Sequence, residues 1–269
     1  MMASILPVFS LQESAAWRWH PLIMEGRHSV SKLRSILFSA PLIILSTILM
    51  GSISLVCSLW DHNGFTQHRV ARAWGRMLLW AGFVRCEVYG IEKLDQRRSY
   101  VLVLNHASYM DTPTILSSIP LQFRFFAKQG LFQIPFLGWH LRRAGHLPVV
   151  RDDPRASVRS MAEGAKVIRE RGISVLLFPE GGRSEQHMRP FKEGAAYIAI
   201  KAGVPAVPIG LVNTRSVLPM HSGVVRPGTV KVFVGDPIET SEMKLQDRGR
   251  LNQMLQERVA ALAGEIVIN

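Results

Sequence analysis

A chain of 269 residues, 48% of them hydrophobic and only 19% charged, can build one large domain or two small ones around a real buried core, and it is too apolar to be a disordered polymer. Its formal net charge of +12 is spread along the chain without a nucleic-acid motif or a lysine/arginine block, so it argues against a nucleic-acid partner and fits anionic lipid headgroups or a phosphate-bearing substrate. Cys57 and Cys86 lack C-x-x-C spacing, which argues against a disulfide scaffold or a cysteine metal site and fits a reducing compartment.

Taken in order, the first 34 residues combine Trp17 and Trp19 with Arg18, Arg27, Lys32 and Arg34, a mixture at home at the headgroup level of a bilayer. Glu13 and Glu25 count against a mitochondrial transit peptide. Residues 35–60 contain no charge and are long enough for a membrane-crossing helix. Pro41 and Gly51 keep a bent helix or embedded hairpin as a rival to a simple span. Over 65–83, Arg69, Arg72 and Arg76 recur at helical spacing beside Leu78, Leu79 and Trp80, a helix that rests one side on lipid or on the first helix.

The remainder alternates strands and helices, predicting an α/β fold with a mixed, largely parallel central sheet flanked by helices. The expected strands are 84–89, 101–104, 123–127, 147–150, 174–178, 207–212 and 230–234; the expected helices are 112–119, 154–171 and an amphipathic 241–265. Residues 129–145, broken by Gly130, Pro135 and Gly138, carry an aromatic and aliphatic surface that suits either ordinary core or an acyl-chain groove. The division expected is a membrane-associating helical region over 1–83 and an α/β domain over 84–269.

Chemistry gathers at two strand ends. In V-L-V-L-N-H-A-S-Y-M-D, Asn105 reads as a helix cap, and His106 and Asp111 stand where a strand hands over to a helix. His106 has no cysteine or second histidine at metal-ligand spacing, so acid/base work is favoured over zinc. Five residues of helix would separate the pair by about 7.5 Å of rise, so Asp111 has to reach back to a histidine lying before the first turn. The rival is structural: a cap, a turn before Pro113 and a space-filling imidazole. At the second end, F-P-E-G-G-R-S, Glu180 can clamp a hydroxyl or a cation, Gly181 and Gly182 let the backbone approach a ligand, and Arg183 offers a planar fork suited to phosphate. Parallel neighbouring strands would put both motifs on one edge.

In this order the motifs resemble the glycerolipid acyltransferases typified by 1-acyl-glycerol-3-phosphate acyltransferase, over residues 65–240. The blocks are N-H-x-x-x-x-D (Asn105, His106, Asp111), the stretch from Gly145 to Arg151, F-P-E-G-x-R-S (Phe178 to Ser184) and V-P-x-x-P (Val204 to Pro208), with Lys128 and a P-x-x-G turn at Pro135 to Gly138 between the first two. Two positions depart: Gly182 replaces the family's threonine, and Gly130 stands where a glutamate is frequent.

The resemblance implies transfer of an acyl group from acyl-CoA or acyl-ACP, a co-substrate with no bound cofactor and no metal, to the sn-2 hydroxyl of 1-acyl-glycerol-3-phosphate. His106 would be the general base and Asp111 its orienting partner; Arg183, Glu180, Lys128 and Arg151 would meet the acceptor's phosphate and glycerol, with the backbone of Asn105, Gly181 and Gly182 in support. The partners implied are a lysophospholipid, the thioester carrier and membrane lipids. Another lysophospholipid or lyso-ornithine lipid as acceptor, a lipid hydrolase, and a non-catalytic phospholipid-binding protein are the alternatives. A bacterial inner membrane with the active face toward the cytoplasm is the expected location.

Overall fold

A strand buried on both faces has no polar side to display, so the sequence of such a sheet is a set of short apolar runs. The computed structural model describes residues 30–150 and 153–266; Trp17, Trp19, Arg18, Arg27 and Arg151 lie outside the described residues. The runs become β1 (Val84–Tyr89), β2 (Val101–Leu104), β3 (Phe123–Lys128), β4 (Leu147–Val149), β5 (Ser174–Leu177), β6 (Ala206–Val212) and β7 (Gly228–Val234), in one sheet of order β1-β7-β6-β2-β5-β3-β4. Neighbours from β6 through to β4 are parallel; β7 is antiparallel to β6 and parallel to β1. The sheet is therefore mixed and largely parallel, as the sequence predicts. Alternation divides its side chains: Val101, Val103, Val175 and Leu177 enter one hydrophobic layer, Leu102, Leu104 and Leu176 the other.

The longer helices are α1 (Val30–Cys57), α2 (Phe65–Ala81), α3 (Asp111–Ser118), α4 (Leu137–Arg143), α5 (Pro154–Arg171), α6 (Gly194–Ala202) and α7 (Arg248–Ala263), with a single helical turn at Thr214–Val217. α5, α6 and α7 cover the first layer, while α2 and α3 cover the second. Asp153 caps α5 by accepting the N–H groups of Arg155 and Ala156, and Gly172 closes it in the left-handed conformation.

Two helices differ from the sequence reading. Periodicity does not reveal α6, because Ala195, Ala196, Ile198, Ala199 and Ile200 are all buried and leave little polar face to set a period. The C-terminal helix starts at Arg248 rather than near 241: the Asp247 carboxylate accepts the Lys244 N–H, and the chain enters that turn in an extended conformation.

α1 is turned inside out relative to a helix of a water-soluble core. Its buried positions are Ser35, Ser39, Ser46 and Ser54, whereas Leu37 and Leu45 are 68% and 61% exposed. The inward serines bond the body: Ser39 Oγ donates to the Ala81 carbonyl at 2.7 Å, Ser35 Oγ accepts the Val225 N–H, and Ser54 Oγ meets His140 Nδ1 at 2.8 Å. The turn into α2 is fixed by Asp61, whose carboxylate accepts the N–H groups of Phe65, Thr66 and Gln67.

That turn is tied to the sheet by Arg124 of β3, only 1% exposed, which donates to the carbonyls of Asn63 at 2.6 Å and Phe123 at 3.0 Å. Burial brings its guanidinium down to about 10, so it stays charged at neutral pH. Arg124→Met would strip both carbonyls of their charged donor. A loss of about 2–3 kcal/mol is expected, read as a lower melting temperature in detergent; unchanged melting would show that the α1–α2 turn is held by something else.

Candidate active site

β2 ends at Leu104 and α3 does not begin until Asp111, so 105–110 is a loop on the C-terminal edge of the sheet. Asn105 does not cap that helix. It is buried, its Nδ2 donates to the Leu211 carbonyl at 3.0 Å and its Oδ1 accepts the Leu211 N–H at 2.8 Å, so the side chain extends the β2–β6 ladder by a rung. Asp111 reaches back as the spacing demands. Its Oδ2 accepts from His106 Nδ1 at 2.7 Å, the Ala107 N–H at 2.8 Å and the Ser108 N–H at 2.9 Å. An ionised carboxylate only accepts, so Nδ1 carries the proton and Nε2 is left as the basic nitrogen. Phe178 fixes the ring plane, stacked at 4.0 Å between centroids and 17° between planes.

β5 lies beside β2 and runs parallel to it, so 178–184 emerges next to 105–110. The two loops are stitched together. Ser184 N–H donates to the His106 carbonyl at 3.1 Å, Arg183 Nε donates to the Ser108 carbonyl at 3.1 Å, and the guanidinium lies 3.9 Å above the Tyr109 ring. Gly181, at φ +72°, closes a turn in which its N–H donates to the Phe178 carbonyl. Glu180 is nearly buried and spans both loops: Oε1 accepts the His106 N–H at 2.5 Å and Oε2 accepts the Arg189 N–H at 2.9 Å. Burial pushes its carboxyl up to about 7, with Glu265 and Asp111 adding repulsion, against the pull of those two N–H groups.

The structure thus brings together His106, Asp111, Glu180, Arg183 and Asn105. Lys128 is exposed at the end of β3, two strands from β2, and makes no hydrogen bond or ion pair to the other site residues among the described residues. Toward α1, a cavity of about 290 Å³ is lined by Met50, Trp74, Leu116, Phe125, Phe136 and Leu141. The 129–145 stretch therefore does form a groove wall. Its turn requires Gly138, because a Cβ there would collide with the Phe132 carbonyl.

Residues 85–212 match the family described as Acyltransferase. A 1-acyl-sn-glycerol-3-phosphate acyltransferase of Cocos nucifera is 30% identical over 227 residues, covering 84% of this chain and 71% of that protein. The chain belongs to the glycerolipid acyltransferase family. Chloroplastic 1-acyl-sn-glycerol-3-phosphate acyltransferases of Brassica napus and Arabidopsis thaliana are 36% and 35% identical over 181 and 178 residues, 66% and 65% of this chain. The chain spans 52% and 49% of those two relatives, about half their length. The crystal structure of a 1-acyl-sn-glycerophosphate (LPA) acyltransferase from Thermotoga maritima shares the fold, with a TM-score of 0.72 over 87% of this chain and 96% of that one at 24% identity.

In this glycerolipid acyltransferase chain, three contributors escape a reading by motif. Ser108 bonds both loops and, through Oγ, the Leu218 carbonyl; Tyr109 underlies the guanidinium; Arg189 gives Glu180 its second N–H. Ser108 and Tyr109 sit inside the N-H-x-x-x-x-D block at its unspecified positions, where a block reading is silent.

Glu180→Gln would leave one of two backbone N–H groups facing an amide nitrogen, at a cost of about 1–3 kcal/mol in unfolding free energy. The wild-type carboxyl should also show a pH signature. Its folded value of about 7 stands above the ordinary 4.5, so its contribution to stability is full below the unfolded value and is lost as pH rises through the folded one. Subtracting variant from wild-type stability between roughly pH 5 and 8 cancels other groups, and the wild-type advantage should shrink as pH rises. A flat difference would place the carboxyl's titration elsewhere.

Proposed function

We propose that this chain transfers a fatty acyl group from an acyl thioester, on coenzyme A or acyl carrier protein, to the sn-2 hydroxyl of 1-acyl-glycerol-3-phosphate, giving phosphatidic acid. The observation that carries the reading is the His106–Asp111 pair, with Nδ1 committed to the carboxylate and Nε2 left basic, in a loop bonded to Arg183 and near an apolar cavity. Membership of the family supports the reaction class, and the cavity suits an acyl chain.

The acceptor's alcohol is a poor nucleophile at neutral pH. His106 Nε2 takes its proton as the oxygen attacks the thioester carbonyl, and Asp111 stabilises the imidazolium that forms. The tetrahedral intermediate collapses with loss of the thiolate, which receives the proton back from the imidazolium. A thioester is already activated, so a serine or cysteine nucleophile is not needed. Of the backbone groups considered for the oxyanion, the N–H of Gly181 is used within its turn, and those of His106, Ala107 and Ser108 serve the two carboxylates. We assign that duty to Gly182.

Arg183, oriented by Ser108 and the Tyr109 ring, takes the acceptor's phosphate, with Lys128 and Arg151 as further candidate cations. Glu180 holds the two loops in register, and through the His106 N–H it acts on the base. The acceptor lives in a bilayer, and α1, with apolar side chains outward, is long and apolar enough to enter one. The α/β body then stands at the lipid surface, on the cytoplasmic side of an inner membrane.

His106→Ala is expected to abolish transfer in detergent while the melting temperature stays within a few degrees, since the ring is partly exposed and Asp111 keeps two backbone partners. Unchanged turnover would remove the assigned base. Arg183→Ala should raise the KM for lysophosphatidate by roughly tenfold or more with little change in that for the thioester. A panel of lysophosphatidylcholine, lysophosphatidylethanolamine and lyso-ornithine lipid under the same conditions decides the acceptor, and a preference for one of these would replace lysophosphatidate.

A further inference from the structure

The C-terminal edge of the sheet carries two cavities, one on each face. The apolar one lies on the α2–α3 face beneath α1. The second, about 120 Å³, lies on the α5–α6 face. Its walls include Phe126, Met161 and Leu177, its polar side chains are Ser157 and Lys192, and Phe178 is also part of its lining. Phe178 is also the residue whose ring stacks on His106, so one residue is shared by this cavity's lining and the base.

Lys192 stands over the cavity's rim. Its backbone is anchored, the N–H donating to the Pro179 carbonyl at 3.0 Å. Its side chain is exposed and crosses Gly181 so closely that a Cβ there would lie 3.2 Å from Cε and 3.3 Å from Nζ. Neither a hydrogen bond nor an ion pair engages Nζ among the described residues. The Gly181 turn thus leaves room for an ammonium beside a small cavity whose lining includes Phe178.

We infer that this slot holds the phosphorylated pantetheine arm of the thioester donor, with its phosphodiester on Lys192 and its sulfur passing the edge of Phe178 to reach His106. The inference rests on the acyltransferase reading above. An acceptor already in the bilayer arrives from the α1–α2 side and meets Arg183 of the 178–184 loop, whose side chain is bonded to Ser108 of the 105–110 loop. A water-soluble carrier has to enter from elsewhere, and the α5–α6 face lies across the sheet from α1. The arm is a thin chain of methylenes and amides ending in phosphate, which matches a lining of mixed polarity with apolar side chains, a hydroxyl and one point charge. Carrier on one face and acyl chain on the other would then form one line through the gap at the strand ends, with the thioester carbonyl beside the imidazole.

The test uses the full chain in detergent, with acyl-CoA and lysophosphatidate titrated separately. Lys192→Gln should raise the KM for acyl-CoA by roughly tenfold and leave the KM for lysophosphatidate and the saturated rate unchanged, with Lys192→Arg restoring most of the loss. An acyl-pantetheine thioester without phosphate should be used equally by wild type and Lys192→Gln. Ser157→Trp, which plugs the slot from α5, should raise the KM for both thioesters at an unchanged melting temperature. A rise in KM for lysophosphatidate alone would give Lys192 to the acceptor's phosphate and overturn the inference, and so would unchanged constants in both Lys192→Gln and Ser157→Trp. Absence of transfer by the wild type from any thioester would instead remove the acyltransferase reading beneath it.

Discussion

One oxygen atom organises the site. Asp111 Oδ2 receives three donors, an imidazole N–H and two successive backbone N–H groups, and it is fully buried while doing so. Burying a carboxylate is unfavourable unless its lone pairs are met; three short bonds meet Oδ2, while Oδ1 is buried without a hydrogen-bond partner among the described residues. The same bonds fix the path of 106–108 and the tautomer of the ring. Glu180 acts in parallel from the neighbouring loop, holding the His106 N–H from the other side. The imidazole is thus positioned through its side chain by one carboxylate and through its backbone by another. The two carboxylates also repel, and that repulsion is part of why Glu180 binds its proton more tightly than an ordinary glutamate.

The relation of α1 to the body follows a different logic. In water, a helix gains by turning leucines inward; here serines face in and leucines out, which removes the hydrophobic gain and substitutes hydrogen bonds to Ala81, Val225 and His140. Small polar residues allow close approach of backbones and give direction to the contact, the arrangement favoured where the surroundings are as apolar as the side chains. With the Arg124 tie to the turn after α1, the helix holds a defined attitude to the sheet. The apolar cavity between them has one wall from α1 and others from α2, α3 and α4, so its shape depends on that attitude.

Which parts of this are legible in sequence depends on range. The central strands read correctly because doubly covered strands are short runs of buried residues, as in Val101–Leu104 and Ser174–Leu177, while β1 and β7 show through partial alternation. Spacing alone leaves His106 open to a purely structural role and says only that Asp111 must reach back if the two meet; the ordered set of motifs is what favours the pair. Asn105 is misread because its partner, Leu211, is 106 residues away, and local capping rules see only the helix that follows. Glu180 reads as a ligand group because its type and position are visible, whereas the two backbone donors that occupy it are not. α6 disappears from view for the reason that makes it important: it is buried almost all round, and periodicity needs a polar side.

The position of the site follows from the strand order. The chain leaves β2 and moves outward, past β5, to pair as β3; it leaves β5 and moves the opposite way, past β2, to pair as β6. Crossovers between parallel strands are right-handed, so connections in opposite lateral directions must lie on opposite faces of the sheet. The hydrophobic layers bear this out, with α3 on one face and α6 on the other. The loops leaving β2 and β5 therefore part company, and a crevice opens between them at the C-terminal edge. His106 stands at one lip and Glu180 and Arg183 at the other, bonded across it by those two side chains and by the main-chain bond from Ser184 N–H to the His106 carbonyl. Two cavities on opposite faces are the natural extension of such a crevice, which reaches both sides of the sheet at once. A reaction that joins a lipid-borne partner to a water-borne one needs access from two directions to one point, and this strand order supplies it before any side chain is chosen.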